Sequence, residues 1–294
     1  MPDGRDHDAG LPAQLRRRLD ADVDWTREWR DAWKPHVDNA WFRHQDDVYT
    51  AWWRERGPVW GRAPKVDSSD ESPQMLQTDA FNEACRLPSL DRILPSVRRT
   101  VMDISFLILR DALQGTRVRE PRIRSCSTDV RRLAFRREVF DIVFSPSTLD
   151  HFGNSAEITL ALRELRRVLR ADGRLLITLD NPRNPLLWVR QRLYRRGSRV
   201  PRGLIPFAMG CTLSRARLVE ALKGAGFEVL DSRYVLHTPR VVGLWLGEWA
   251  ARAGRARLGA RLCSLFNVLE RLLRRLPTRA WTGHFVAVDC VRRG

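Results

Sequence analysis

Between residues 74 and 237, short apolar runs of strand length alternate with longer stretches in which apolar residues recur every three or four positions. The first pattern predicts buried strands and the second amphipathic helices; their alternation predicts a parallel sheet with helices on its faces. Strands are expected at 74–78, 100–103, 123–128, 140–145, 174–179 and 227–236, and a last one in the run His284 to Val291. The clearest helix is 155–170, with Ile158, Leu162, Leu165 and Leu169 on one face and Ala171-Asp172-Gly173 ending it. Another is expected at 214–225, opened by Ser214 and closed by Gly224 and Gly226.

Two segments flank or interrupt this pattern. Trp25, Trp29, Trp33, Val37 and Trp41 recur every four residues, followed by Tyr49, Trp52 and Trp53, which predicts a helical cap with a wide apolar face. A cap packed on the main domain is one reading; a dimer or membrane-surface contact is the other, because Trp favours interfaces. Residues 56–74 collect Gly, Pro, Ser and Asp without a period and read as a linker. The expected organisation is therefore an N-terminal tail, Trp-rich cap and linker over 1–73 and a main domain over 74–294. Within the latter, 238–283 is too long for a turn; Val241, Leu244, Trp245, Leu258, Leu262, Leu265, Phe266, Leu269 and Leu272 predict one or two inserted amphipathic helices.

Composition narrows the function classes. Hydrophobic residues make up 43% of the 294, enough for a sizeable core, which excludes wholesale disorder. No apolar run reaches the roughly 18–20 residues of a membrane span, and the start resembles no secretory signal, so a cytoplasmic protein is expected. Five dispersed cysteines without a C-x-x-C pair fit small buried residues in a reducing compartment, and no metal cluster stands out. The net charge of +17 invites a nucleic-acid partner. All but three of the 52 basic residues are arginine, however, spread along the whole chain rather than gathered in one tail, which disfavours that reading.

Ligands of open α/β sheets bind outside the carboxyl ends of the strands. Asp79, Asp103, Asp129 and Asp180 follow four of the expected strands, and the fifth such end carries Ser145-Pro146-Ser147. Each aspartate alone could simply cap the next helix. Together they form a rim suited to a ligand with a ribose diol, an exocyclic amine and cationic groups, and hostile to a triphosphate. S-adenosyl-L-methionine fits that description better than ATP.

Three segments then carry a resemblance: Asp129 to Phe135 (DVRRLAF), Phe140 to Phe152 (FDIVFSPSTLDHF) and Leu162 to Ile177 (LRELRRVLRADGRLLI). In order and spacing they resemble the type-11 branch of the class I S-adenosylmethionine-dependent methyltransferases, over about 75–237 plus 284–291. The resemblance implies an α/β, Rossmann-like, doubly wound, mostly parallel seven-stranded sheet with an antiparallel last strand, plus the N-terminal helices and the insertion. It implies S-adenosyl-L-methionine as cofactor, with Asp103 and the adjacent Ile104 at the ribose, Asp129 and Val130 at the adenine, and Ser145 near the methionine end. Asp141 is expected to support the fold.

One departure stands out. The family follows its first strand with a glycine-rich turn; here Leu76 to Ala84 (LQTDAFNEA) has no glycine, and Gln77 stands where an acidic residue is expected. Either Thr78, Asp79, Asn82 and Glu83 replace backbone contacts by side-chain contacts, or the pocket has decayed and the domain is a scaffold. Methyl transfer is an in-line displacement that needs a base only for some acceptors. His151, with Asp150, follows the fourth strand where an acceptor would approach and is the leading base; His237 and His284 are weaker alternatives. Asp180 to Pro185 (DNPRNP) reads as an acceptor-side wall or as plain loop geometry. The apolar, arginine-bordered lids suggest a small hydrophobic or amphipathic acceptor, with peripheral membrane or lipid contact as an option. A non-catalytic scaffold and a nucleic-acid-directed binder or modifier remain the alternatives, and the oligomeric state is open.

Overall fold

The computed structural model describes residues 34–55, 72–85, 97–114, 123–195 and 210–294. Trp25, Trp29 and Trp33 and nearly all of the 56–74 linker lie outside the described residues. Among the described ones, the strands are β1 (Gln74–Gln77), β2 (Arg98–Asp103), β3 (Ile123–Ser127), β4 (Phe140–Pro146), β5 (Leu169–Asp180), β6 (Phe227–Val235) and β7 (Phe285–Arg292). They make one seven-stranded sheet in the order β3-β2-β1-β4-β5-β7-β6. Strands β1 to β5 run parallel, and β7 is antiparallel to both β5 and β6. The chain winds outward one way from β1 and the other way from β4, so the switch point lies between them, where a crevice forms.

The helices are α1 (Ala40–Glu55), α2 (Phe81–Ala84), α3 (Phe106–Gln114), α4 (Ser155–Val168), α5 (Pro185–Arg195), α6 (Arg215–Gly224), α7 (Arg240–Arg252), α8 (Ala256–Leu273) and α9 (Arg279–Thr282). Consecutive strand residues point to opposite faces, and the core divides accordingly. Met75, Val101, Ile142, Phe144 and Leu176 join α1 and α3 on one side. Leu76, Met102, Val143, Leu175 and Ile177 join α4 and α6 on the other. Both faces of the central strands are covered, which is why β4 and the second half of β5 read as continuous apolar runs. Asp141 supports the fold: its carboxylate accepts from the Gln74 backbone N–H and from Arg170, both at 2.8 Å.

Three expectations need correction. Helix α4 stops at Val168, two residues early, because Leu169 is already extended and pairs with Phe140; Asp172, at φ 59°, turns the chain before the ladder resumes at Arg174. The Trp-rich helix does not include Val37, which is exposed; α1 begins at Ala40, with Asn39 Oδ1 accepting from the Trp41 N–H. Trp41, Phe42, Tyr49 and Trp52 enter the core from there.

The insertion forms α7, α8 and the short α9, but not with the burial its pattern suggests. Val241, Trp245, Leu265 and Leu272 are exposed, whereas the buried side of α7 is Gly243, Gly247, Glu248 and Ala250. The reason is close approach to α1. A Cβ on Gly243 would lie 2.3 Å from the Trp41 ring, and one on Gly247 would lie 2.1 Å from Asn39 Oδ1. Glu248 then accepts from the His36 N–H at 2.9 Å and from Asn39 Nδ2 at 3.0 Å.

Candidate active site

A cavity of about 570 Å³ runs along the carboxyl edge of the sheet. The ends of β1, β2 and β4, the segment after β3, the end of β5 and the start of β7 form its floor, and α1, α5 and α7 contribute its walls. Because β7 is antiparallel, its first residues share this edge with the last residues of β5.

At one end stand two carboxyl groups, Asp103 buried and Asp79 half-buried. Asp103 closes β2, with Oδ1 accepting from the Ser105 N–H at 2.8 Å and Oδ2 from the Ala80 N–H at 3.3 Å. Asp79 accepts from the Phe81 N–H at 2.7 Å. Burial pushes Asp103 up to about 6 despite these donors. Burial and the neighbouring Asp103 raise Asp79 well above the usual carboxylate range. Burial and mutual repulsion thus oppose ionising both carboxyls at once. Ile104, Val130, Met102 and Ile108 line the cavity beside them.

Asp129 also lines this end, but its carboxylate is engaged. Arg131 donates to it from its backbone N–H at 2.8 Å and from its guanidinium at 3.0, 2.9 and 2.5 Å, and also reaches Glu157 at 3.0 Å. A carboxylate has about four acceptor positions, so an adenine amine would have to displace one of these bonds.

The glycine-free loop is held by side chains. Gln77 donates to the Asp79 carbonyl at 2.7 Å and to Glu83 at 3.1 Å, and its own carbonyl accepts from Arg99 at 3.0 Å. Glu83 pairs with Arg99 at 3.0 Å, both buried, so Glu83 braces the loop from below. Gln77, Thr78, Asp79 and Asn82 reach the cavity. Thr78 also donates to Ser145 at 2.9 Å and meets the Thr148 hydroxyl at 2.7 Å, tying β1 to β4. Ser145 is fully buried behind this wall and does not itself line the cavity.

On the far side of the switch point, His151 sits on a 3-10 turn (Leu149–His151) and lines the cavity with its side chain one-third exposed. Its Nε2 lies 4.0 Å from Asp150 Oδ1. Asp150 is buried, and its Oδ2 accepts from the Ser147 hydroxyl at 2.8 Å and from the Asp180 N–H at 2.9 Å, which pins the ends of β4 and β5 together. Asp180 faces the cavity; burial and Asp150 raise its carboxyl to about 7, although Arg190 and Arg240 oppose this. His284 lies 3.5 Å from Asp180, and burial with two nearby arginines lowers its pKa, so it is neutral. His237 is outside the cavity; it is bound to Thr282 at 2.8 Å and to the Tyr234 carbonyl at 3.2 Å. Within the 180–185 turn, Asn181 and Asn184 bond to the 280–283 backbone, so only Asp180 there meets the cavity.

Sequence reasoning missed Arg131, Arg190, Arg240, Phe42 and Tyr49 as cavity residues. One clue was present: Arg240 opens the inserted helix directly after the sixth strand, where the insertion must leave the sheet.

Residues 84–177 match the family model of a type-11 methyltransferase domain, a segment that begins just after the glycine-free loop. No curated protein matches the chain in sequence. Among solved structures it is similar to a candidate sarcosine dimethylglycine methyltransferase from Galdieria sulphuraria, at 15% identity, TM-score 0.52, covering 83% of this chain and 84% of that one. It is also similar to an S-adenosylmethionine-dependent methyltransferase from Methanosarcina mazei, at 14% identity, TM-score 0.50, covering 78% and 97%. At such identities these likenesses speak for the fold. Over residues 84–177 the chain thus matches a methyltransferase domain of the type-11 kind, and its sheet has the fold that such methyltransferases share.

Proposed function

We propose that the chain transfers a methyl group from S-adenosylmethionine to a small amphipathic acceptor inside the cavity described above. The observation that carries the cofactor assignment is the Asp79–Asp103 pair, carboxyl groups that line one end of a cavity of about 570 Å³ and repel each other's charge. A ribose diol supplies donors to Asp103, and Asp79, Asn82 and Thr78 offer side-chain contacts in place of glycine backbone. These residues fit the cofactor. Asp129 fits it only after Arg131 yields a bond, so we assign the adenine chiefly to the apolar surface of Ile104, Met102 and Val130.

When bound, the cofactor supplies an electrophilic methyl on a sulfonium. The protein contributes position and dryness. Phe42, Tyr49, Leu187 and Phe285 exclude water from the acceptor end, and the wall from β4 to β7 aligns the nucleophile. His151 Nε2 takes the proton of a hydroxyl or activated-carbon acceptor, and Asp150 positions the turn that carries it. The mostly apolar lining supports a hydrophobic or amphipathic acceptor over a peptide or nucleic acid.

The test is titration calorimetry with S-adenosylhomocysteine on the wild type, Asp103→Asn and Asp129→Ala. We expect micromolar binding, at least tenfold weaker in Asp103→Asn and only a few-fold weaker in Asp129→Ala. Folded wild-type protein that gives no binding would overturn the cofactor site and favour the scaffold.

A further inference from the structure

The two ends of the cavity differ in charge. Asp103 closes β2 and Asp180 closes β5, with β1 and β4 between them, a separation of roughly 14 Å at ordinary strand spacing. The first end is acidic. At the second, the guanidinium groups of Arg190 and Arg240 stand in the cavity wall with His284 and Asp180. Arg240 opens α7, and its sole hydrogen bond among the described residues is to His284 Nε2, at 3.5 Å. No carboxylate of the described residues lies within ion-pair distance of it. Around these groups the wall is apolar: Leu186, Val189 and Val241 line the cavity and are also exposed at its mouth.

We propose that this end is an anion subsite, in which Arg240, seconded by Arg190, holds the carboxylate or phosphate head of the acceptor while its apolar body lies along Leu186, Val189 and Val241. This rests on the methyltransferase reading and names the acceptor class: an amphipathic anion.

Charge bookkeeping supports it. Arg190 and Arg240 repel one another and, with burial, depress His284; Asp180 is partly protonated near neutral pH, and the charge of Asp150, which also reaches Arg190, is engaged by the Ser147 hydroxyl and the Asp180 N–H. The subsite therefore carries a net positive charge in a largely apolar wall. An anionic head compensates it, and an arginine fork binds a carboxylate or a phosphate in two-point fashion. A cationic or neutral head would leave Arg240 facing apolar surface without a counter-charge.

The experiment uses the full chain saturated with S-adenosylhomocysteine and titrates four probes of equal chain length: octanoate, octyl phosphate, 1-octanol and octyltrimethylammonium. The expected order is either or both anions at least tenfold tighter than the alcohol, with the cation weakest; the two anion arms tell a carboxylate head from a phosphate head. Arg240→Gln should abolish the preference, and Arg240→Lys should restore part of it, with S-adenosylhomocysteine affinity unchanged in both. Equal binding of alcohol and anions, or a preference that survives Arg240→Gln, overturns the subsite. If Arg240→Gln instead loses S-adenosylhomocysteine, the arginine serves the cofactor and the proposal fails. A wild type that binds no S-adenosylhomocysteine, by contrast, refutes the methyltransferase reading itself, and octanoate binding without it then reports separately on the anion subsite.

Discussion

Asp103 and Asp79 lie within reach of one another, and the cost of burying both charges is visible in their raised pKa values. For Asp103 the folded pKa of about 6 exceeds its ordinary 3.8. The free protein therefore gains from its protonation at low pH, and that gain is lost as pH rises from about 4 through 6. A ligand whose hydroxyls donate to the carboxylate prefers the ionised form. We therefore expect S-adenosylhomocysteine affinity to rise as pH climbs through about 6, by at most about tenfold per unit, and then to level. Calorimetry in buffers of different ionisation enthalpy should register proton release below that pH, and Asp103→Asn should flatten the profile. A profile with the same slope in that variant would assign the titration to another group.

Among the elements, the packing of α1 against α7 decides how the cavity is roofed. Trp41 is fully buried against Gly243, also contacting Phe266 of α8 edge-on at 6.3 Å. Gly243→Ala gains helix propensity of about 1 kcal/mol. It also forces a Cβ into a closed indole contact, for which overpacking costs of about 1–3 kcal/mol are typical. We expect a net loss of stability in urea unfolding, larger for Gly243→Val, because the fully buried ring has little room to move. A more stable Gly243→Ala would mean that α1 docks less tightly than its burial implies.

Over the whole molecule, large apolar side chains stand exposed on α5, α7, α8 and α9. Trp188, Trp245, Trp249 and Trp281 are each about half exposed or more, and Arg192 and Arg255 stack on the first and third of them. Trp and Arg together suit the boundary of an anionic lipid surface, and the +17 charge adds long-range attraction. No helix of the described residues is long and apolar enough to cross a membrane. Co-sedimentation with vesicles containing anionic phospholipid is expected, with none on neutral vesicles and release by half-molar salt. Equal recovery with duplex DNA at the same salt would instead favour the nucleic-acid alternative.

The centre of the sheet was legible in the chain because β1, β4 and β5 are buried on both faces. Short runs of strand length and the aspartates that end them are local features, and these marked β1 to β5 and the positions of Asp79, Asp103, Asp129 and Asp180 without any knowledge of packing. The resemblance of 129–177 to a methyltransferase family was equally a property of local order and spacing. Other features depend on residues far apart in sequence. Gln77, Glu83 and Arg99 brace a loop where glycines were expected; Arg131 occupies Asp129; Ser145 hides behind Thr78. The glycines of α7 face Trp41 and Asn39 while the tryptophans of α7 face outward, against their periodicity, because helix approach distance outweighed hydrophobic pattern. Arg240 and Arg190 converge with His284 only once β7 folds back between β5 and β6. The sequence by itself thus determined the scaffold and its acidic edge; tertiary packing decided which of those groups reach the cavity and gave its other end a positive charge.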